Sequence, residues 1–325
     1  MSDIQTIIVT WNSSSTIARC LDNCTHLPVT VIDNASTDET VDIVQRYPAV
    51  FLICNRENRG FAAAVNQGIA RTDADYILLL NPDVELLCSI QPLLQACTTG
   101  NTAIAAGRLV NSRGETQKGF TIRRLPSALT LSFEVLGLNR LLPGNPVNRR
   151  YRCLDLDLDL PADVEQPAGA FLFFSRKLWQ DLDGFDERFF PVWFEDVDFC
   201  KRALDRGRIR YLPSVTARHQ GGSSIARLNW CLREQYWYVS LLKYASKHFS
   251  GFAFRGVCSA VVLGSALRLV TAVFEGRTLS KAIKVYAGTV GLAMKCIARG
   301  RVIEPVRAEL YQEGSTVRTI TSSTK

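Results

Sequence analysis

Glu195, Asp196 and Asp198 place three carboxylates within four residues, bounded by Phe190, Trp193 and Phe194 on one side and Phe199 on the other. Acidic side chains rarely sit among apolar groups unless they are paired or functional, so the cluster is a candidate site for proton transfer. A helix start accounts for the same residues. Acidic groups suit a first turn because they face the positive end of the helix dipole, and Val197, Cys200 and Leu204 follow at helical spacing. The two readings are compatible, and the rest of the chain has to decide.

Three further positions carry chemistry. Asp33 comes directly off an apolar run, where a buried carboxylate needs a hydrogen-bond partner that a ligand N–H would supply. Asp83, in the short turn Asn81-Pro82-Asp83-Val84, has the residue type that ligates a hard divalent cation bridging to phosphates. Taken by itself, the segment is explained first by the turn chemistry of Asn-Pro and Pro-Asp. His219 follows the strand-like run Ile209-Arg210-Tyr211-Leu212 and leads the turn Gly221-Gly222, a place for a metal or phosphate contact or for a structural histidine.

These residues need rigid elements behind them. Four short apolar runs, Thr6 to Val9, Val29 to Ile32, Val50 to Ile53 and Tyr76 to Leu80, are each followed by a polar turn and a helix-like segment. Such alternation predicts an α/β fold with a mainly parallel sheet covered by helices, with function at the carboxyl ends of the strands. Polar residues collect at those ends: Thr10-Trp11-Asn12-Ser13, Asp33-Asn34-Ala35-Ser36-Thr37-Asp38, Asn58-Arg59-Gly60 and Asn81-Pro82-Asp83. Ser36 and Glu39 have capping-box spacing, so helix initiation explains part of the second loop.

Composition narrows the class. The 325 residues are 47% hydrophobic and 21% charged with net charge +7, an ordinary globular balance. Basic residues crowd the middle, among them Arg108, Arg123, Arg124, Arg149, Arg150 and Arg152, which suits phosphate-bearing ligands or an anionic membrane. No nucleic-acid motif accompanies them, so a nucleic-acid partner is not expected. The ten cysteines are dispersed without CxxC spacing, and the first residues lack the pattern of a signal peptide, so reduced thiols in a cytoplasmic protein are expected. A Rossmann dehydrogenase fits poorly, since no GxGxxG follows the first strand. A nucleotidyltransferase fits poorly, because Thr10-Trp11-Asn12-Ser13-Ser14 stands where a glycine-rich basic loop would be expected.

The ordered set of Ile8-Val9-Thr10-Trp11-Asn12, Val31 to Asp38, Asn58 to Gly68, Leu80 to Asp83, Gly169-Ala170, Gly184 to Glu187 and Phe194 to Asp198 resembles the family-2 inverting glycosyltransferases. The likeness spans roughly residues 4 to 224 and is greatest to the rhamnosyltransferase-like branch that builds cell-surface polysaccharide. It implies the GT-A (nucleotide-diphospho-sugar transferase) fold, with a catalytic domain over residues 1–224. By the same resemblance Thr10, Asn12, Asp33, Asn34, Arg59, Gly60 and Asn81 hold a nucleoside-diphosphate sugar, and Asp196 is the general base with Glu195 beside it. Asp83 and His219 would bind Mg²⁺ or Mn²⁺, although Asn81 replaces the first Asp of the family's Asp-X-Asp motif. Trp193, Phe194 and Asp198 are expected on the acceptor side. The implied reaction is inverting transfer of a sugar, rhamnose first, from a dTDP-linked donor to a lipid-linked or polysaccharide acceptor. UDP-sugar transfer (GlcNAc, galactose or galactofuranose) and a degenerate sugar-nucleotide-binding or scaffold protein are the alternatives.

Within a C-terminal region over residues 225–325, the character changes from Gln235 onward. Phe252 to Phe274 and Ala282 to Ile297 are apolar helical stretches, and the first is long enough to cross a bilayer. Arg255 and Arg268 interrupt it, so helices lying on the membrane, with basic residues toward anionic headgroups, are expected at the inner face of the plasma membrane. A helical subdomain packed on the core or on another subunit is the other reading, which leaves a homo-oligomer open. Between residues 113 and 165, where acceptor-binding loops are expected, Leu154 to Leu160 alternates like an exposed strand.

Overall fold

The computed structural model describes residues 3–221, 228–274, 276 and 278–302. The 224/225 boundary and Gly222 of the expected turn lie outside the described residues.

The four apolar runs form β1 (Ile4–Thr10), β2 (Val29–Asp33), β3 (Val50–Cys54) and β4 (Tyr76–Leu80), all parallel and joined through α1 (Ile17–Asp22), α2 (Thr40–Val44) and α3 (Phe61–Ile69). Every residue of β2 and all but the first of β4 are buried, as parallel strands covered on both faces require. Then follow β5 (Val84–Leu86), α4 (Gln91–Thr99), β6 (Thr102–Val110), β7 (Ile122–Arg123), α5 (Ala128–Val135), α6 (Leu138–Leu141) and α7 (Pro146–Tyr151). After β8 (Ala162–Val164), β9 (Gln166–Pro167) and β10 (Phe171–Ser175) come α8 (Arg176–Asp181), α9 (Glu195–Ala203) and β11 (Arg208–His219). The main sheet runs β3-β2-β1-β4-β10-β6-β11-β5, with β8 on β11, while β7 and β9 form a separate pair. Because β1 lies between β2 and β4, the order of strand addition reverses there, and the crevice at that switch point is where α/β sheets bind ligands.

Register brings the site residues together. Thr10 pairs with Asp33 across β1 and β2, and His219 at the end of β11 pairs with Val84, the residue after Asp83.

Leu154 to Leu160 is not a strand but a series of turns. Leu158 alone turns inward, its carbonyl accepting from Tyr211 Oη at 2.9 Å and Arg108 Nη2 at 3.0 Å, while Leu160 is exposed.

The C-terminal part is helical: α10 (Trp230–His248), α11 (Gly251–Phe274) and α12 (Leu279–Arg299). Asn229 starts α10 by accepting the Leu232 N–H at 2.9 Å, a side-chain N-cap. These helices share one apolar core with α5 and with Phe189, Phe194 and Val197 around the start of α9. Close approach of α11 to α5 depends on Gly264, where a Cβ would fall 2.2 Å from the Val135 carbonyl oxygen. Arg268 does not face headgroups as expected. It turns inward, 3.7 Å from Glu234 and over the Tyr238 ring at 6.0 Å, and donates to the Glu134 carbonyl at 3.4 Å. Arg255 is exposed.

Candidate active site

Asp33 is 2% exposed, and both its oxygens are engaged. Oδ1 accepts from Thr10 Oγ1 at 2.8 Å and from Ser36 Oγ at 2.5 Å, and Oδ2 accepts the Ser36 N–H at 2.8 Å. A carboxylate offers about four lone-pair sites, so one on Oδ2 is left for a donor from outside. Ser36 does not cap α2, which starts four residues later. Its hydroxyl instead accepts the Asn12 N–H at 2.8 Å, and Asn12 Oδ1 accepts the Thr37 N–H at 2.7 Å. The loops after β1 and β2 are thereby locked around Asp33.

Across the switch point, the Asn81 to Val84 turn closes with the Val84 N–H on the Asn81 carbonyl at 3.1 Å. Asp83 is buried, and its Oδ1 lies 3.5 Å from Nε2 of His219, which is 4% exposed. The other imidazole nitrogen, Nδ1, is 3.0 Å from Gln117 Oε1, and the Phe120 ring stacks on the imidazole at 4.9 Å and 9°. Burial pushes the His219 pKa down, against the charge of Asp83, so the ring is neutral. A carboxylate oxygen and an imidazole nitrogen 3.5 Å apart can both reach one divalent ion at about 2.1 Å. Among the described residues no cluster of three or more His, Cys, Asp or Glu could hold a metal. The pair fits an ion whose remaining ligands are waters and phosphate oxygens.

Asp196 is the second residue of α9, which starts after two consecutive non-glycine residues in the left-handed region, Trp193 at φ 79° and Phe194 at φ 69°. Such backbone is strained and persists only where its surroundings over-determine it. Here α10 does so: Ser240 Oγ donates to the Val192 carbonyl at 3.1 Å, and Tyr244 packs on Phe194 with ring centroids 5.4 Å apart. Asp196 is half-buried; Oδ2 accepts the Gly169 N–H at 2.9 Å, and Oδ1 accepts the Val197 N–H at 2.8 Å. Gln166 Nε2 is 3.5 Å from Oδ2. Burial raises the Asp196 pKa, and the two N–H groups and the charge of Arg123 moderate the rise. Glu195 is 5% exposed; burial, then the charge of Asp196, push its pKa well above the usual carboxylate range, and its Oε2 has no hydrogen-bond partner among the described residues.

One dipeptide joins the two sides. Gly169 donates to Asp196, while the carbonyl of Ala170 accepts the Asn81 N–H at 3.0 Å.

Residues 6–153 match the family described as Glycosyl transferase family 2. The chain is 32% identical over 249 residues to the N-acetylglucosaminyl-diphospho-decaprenol L-rhamnosyltransferase of Mycobacterium tuberculosis (strain H37Rv), covering 70% of this chain and 79% of that protein. It belongs to glycosyltransferase family 2. This glycosyltransferase is also 25% identical over 228 residues to the rhamnosyltransferase WbbL of Escherichia coli K12, covering 66% and 81% of the two chains. Among solved structures, a mannosyltransferase from Pyrobaculum calidifontis in complex with GDP-Man and Mn²⁺ superposes with a TM-score of 0.50 at 15% identity, over 92% of this chain and 89% of that one. The fold is GT-A, with a C-terminal helical region, and the rhamnosyltransferases are its named relatives.

Not every expected site residue of the glycosyltransferase faces the cleft. Asn34 is spent inside the protein: its Nδ2 donates to the Gly60 carbonyl at 3.1 Å, and its Oδ1 accepts from Asn55 at 2.9 Å. Gly60, at φ 84°, supports the Phe190-Pro191 segment, since a Cβ would sit 2.8 Å from the Phe190 ring. Arg59 is exposed on a cavity of about 940 Å³ between α3 and α8 whose lining includes none of Thr10, Asp33, Asp83 or Asp196. Asp198 is fully buried and bound to Arg202 at 2.8 Å, Lys247 at 2.6 Å and His248 at 2.7 Å, so it ties α9 to α10 rather than meeting an acceptor. Phe194 lies in the C-terminal core, where it cannot serve as a sugar platform, and Trp193 packs half-buried against the same core. Sequence reasoning missed Gln117, Phe120, Arg123 and Gln166. Only the basic composition of the middle region pointed toward Arg123.

Proposed function

We propose that this glycosyltransferase transfers L-rhamnose from a dTDP-linked donor to a lipid-linked glycan, with inversion, by single displacement. The observation that carries the reading is the Gly169-Ala170 link, which ties a carboxylate of raised pKa to the Asn81 to Asp83 turn. Asp196 takes the proton of the acceptor hydroxyl as its oxygen attacks the anomeric carbon from the face opposite the departing nucleoside diphosphate. Such assistance is worth about 10²–10⁴-fold, or roughly 3–5 kcal/mol of barrier. Asp33, through its remaining lone pair, accepts the N3–H of the thymine ring. Asp83 and His219 are the side chains that would hold a divalent ion. When bound, it supplies positive charge to the diphosphate leaving group, a contribution of several kcal/mol.

The donor and acceptor assignments rest on the mycobacterial relative, named for rhamnosyl transfer to a diphospho-decaprenol-linked sugar. An exposed apolar face supports the lipid acceptor: Leu263, Leu267, Val270 and Phe274 expose apolar groups along one side of α11. Residues 251–302 contain eight Lys and Arg against one Glu, which suits anionic headgroups on the cytoplasmic side.

The test is transfer of radiolabelled sugar to a polyprenyl-diphosphate-linked acceptor. Product from dTDP-rhamnose, about 10²–10⁴-fold reduced in Asp196→Asn, is expected. Product from UDP-sugars but none from dTDP-rhamnose would sink the donor assignment. Full turnover by Asp196→Asn would remove the base.

A further inference from the structure

We propose that Gln117 is a positioning residue that holds His219 in its Nδ1–H tautomer, so that the bare Nε2 faces Asp83 as a ready ligand for a divalent cation. The ligand role of His219 rests on the metal-dependent reading above; the tautomer assignment stands by itself.

Gln117 contacts His219 twice. Its Nε2 donates to the His219 main-chain carbonyl at 2.9 Å, and its Oε1 lies 3.0 Å from Nδ1. A carbonyl oxygen only accepts, which settles the orientation of the amide: nitrogen toward the carbonyl, oxygen toward the ring. The reversed amide would set two oxygens against each other at that 2.9 Å contact. An amide oxygen also only accepts, so Nδ1 carries the proton, and in a neutral imidazole the other nitrogen is then bare.

The contact with Asp83 agrees. At 3.5 Å, Nε2 and Oδ1 are beyond the 2.7–3.2 Å of an N–H···O bond, and two acceptors facing each other repel unless a cation lies between them. Metal-ligating histidines characteristically donate their second N–H to an oxygen acceptor that fixes tautomer and ring orientation. The support is itself rigid. The Gln117 N–H donates to the Leu109 carbonyl at 2.9 Å, the Phe120 N–H to the Gln117 carbonyl at 3.1 Å, and Phe120 covers one face of the imidazole.

The experiment compares wild type, Gln117→Leu and Gln117→Glu. In the metal-free protein, ¹⁵N NMR of the imidazole rings reports each tautomer, and with only three histidines His219 is assigned by a His219→Gln control. Wild type is expected to be Nδ1-protonated. Gln117→Leu is expected to lose that preference and to bind Mn²⁺, read by electron paramagnetic resonance without donor present, about 10–100-fold more weakly. Gln117→Glu keeps an acceptor at Nδ1 but sets its other oxygen against the His219 carbonyl, so it is expected to retain the tautomer and to lose less Mn²⁺ binding than Gln117→Leu does. An Nε2-protonated His219 in wild type, or an unchanged tautomer in Gln117→Leu, overturns the assignment. Absence of Mn²⁺ binding by wild type would instead overturn the metal-dependent reading, with the tautomer still decided by NMR.

Discussion

The backbone N–H of Gly169 lies 2.9 Å from Oδ2 of Asp196, and the two residues meet so closely that a Cβ at position 169 would fall 2.7 Å from the Cβ of Asp196. No real side chain fits that gap. The glycine therefore does two things: it supplies a hydrogen bond that favours the ionised carboxylate, and it leaves the space the carboxylate occupies.

Gly169→Ala is accordingly expected to displace Asp196 without touching the nucleotide side. A misplacement of about 1 Å costs on the order of 10² in rate. Steady-state transfer assays should show kcat reduced by about that factor, while calorimetric binding of dTDP stays within a few-fold of wild type. Equal losses in both would mean that the substitution disturbs the fold rather than the base.

The pH dependence follows from the charges around Asp196. Burial raises its pKa, so the acid limb of kcat/KM should lie above the ordinary aspartate value, with activity lost as pH falls through that pKa. Arg123 opposes the rise. Removing its charge in Arg123→Ala leaves burial less countered, so the acid limb should move to higher pH. A pH–rate profile checks the sign, and a limb that stays put or moves lower would separate Arg123 from the base.

Asp198 illustrates how a functional motif conceals a structural residue. Burial alone would raise its pKa, but the His248 hydrogen bond and the charges of Arg202 and Lys247 hold it below the ordinary value. A depressed folded pKa contributes stability above the unfolded value of about 3.9 that is lost as pH falls through the folded one. Asp198→Asn removes the carboxylate charge that Arg202 and Lys247 share, leaving Lys247 with Asp186 and Arg202 with carbonyl acceptors alone, and should cost about 3–5 kcal/mol, a melting temperature lowered by roughly 5–15 °C. Below its melting range the variant should still transfer sugar. Calorimetry together with a transfer assay decides, and an acceptor KM defect at full stability would restore Asp198 to the acceptor side.

Legibility in the sequence followed locality. The four strand ends, Asp33, Asp83 and Asp196 were readable because each polar cluster directly follows an apolar run or opens a helix within a few residues. Gln117, Phe120 and Arg123 were not, since their places depend on pairing of β6 with β11 and of β7 with β9, between segments far apart in the chain. The Asp198 partners Lys247 and His248 lie about fifty residues away on α10, beyond any local pattern. Leu154 to Leu160 failed differently. Alternation is needed for a half-buried strand but does not make one, and the segment, which pairs with no strand among the described residues, folds into turns.

The apolar side of α11 offers the last test. Leu263, Leu267, Val270 and Phe274 recur at spacings of four, three and four, which puts them on one helix face, while the opposite face packs on α5 and α12. Leu267→Glu with Val270→Glu changes only exposed groups, so the fold and the turnover of a short water-soluble acceptor should be preserved. Burying an aliphatic side chain contributes about 1.5–3 kcal/mol, so the pair should weaken sedimentation with phosphatidylglycerol vesicles by at least about tenfold. Wild-type binding should also fall at high salt, because Arg255 and its basic neighbours act through screened charge. If the double variant binds vesicles as wild type does, α11 is not the bilayer face; if wild type binds none, the lipid-linked acceptor must reach the cleft by another route.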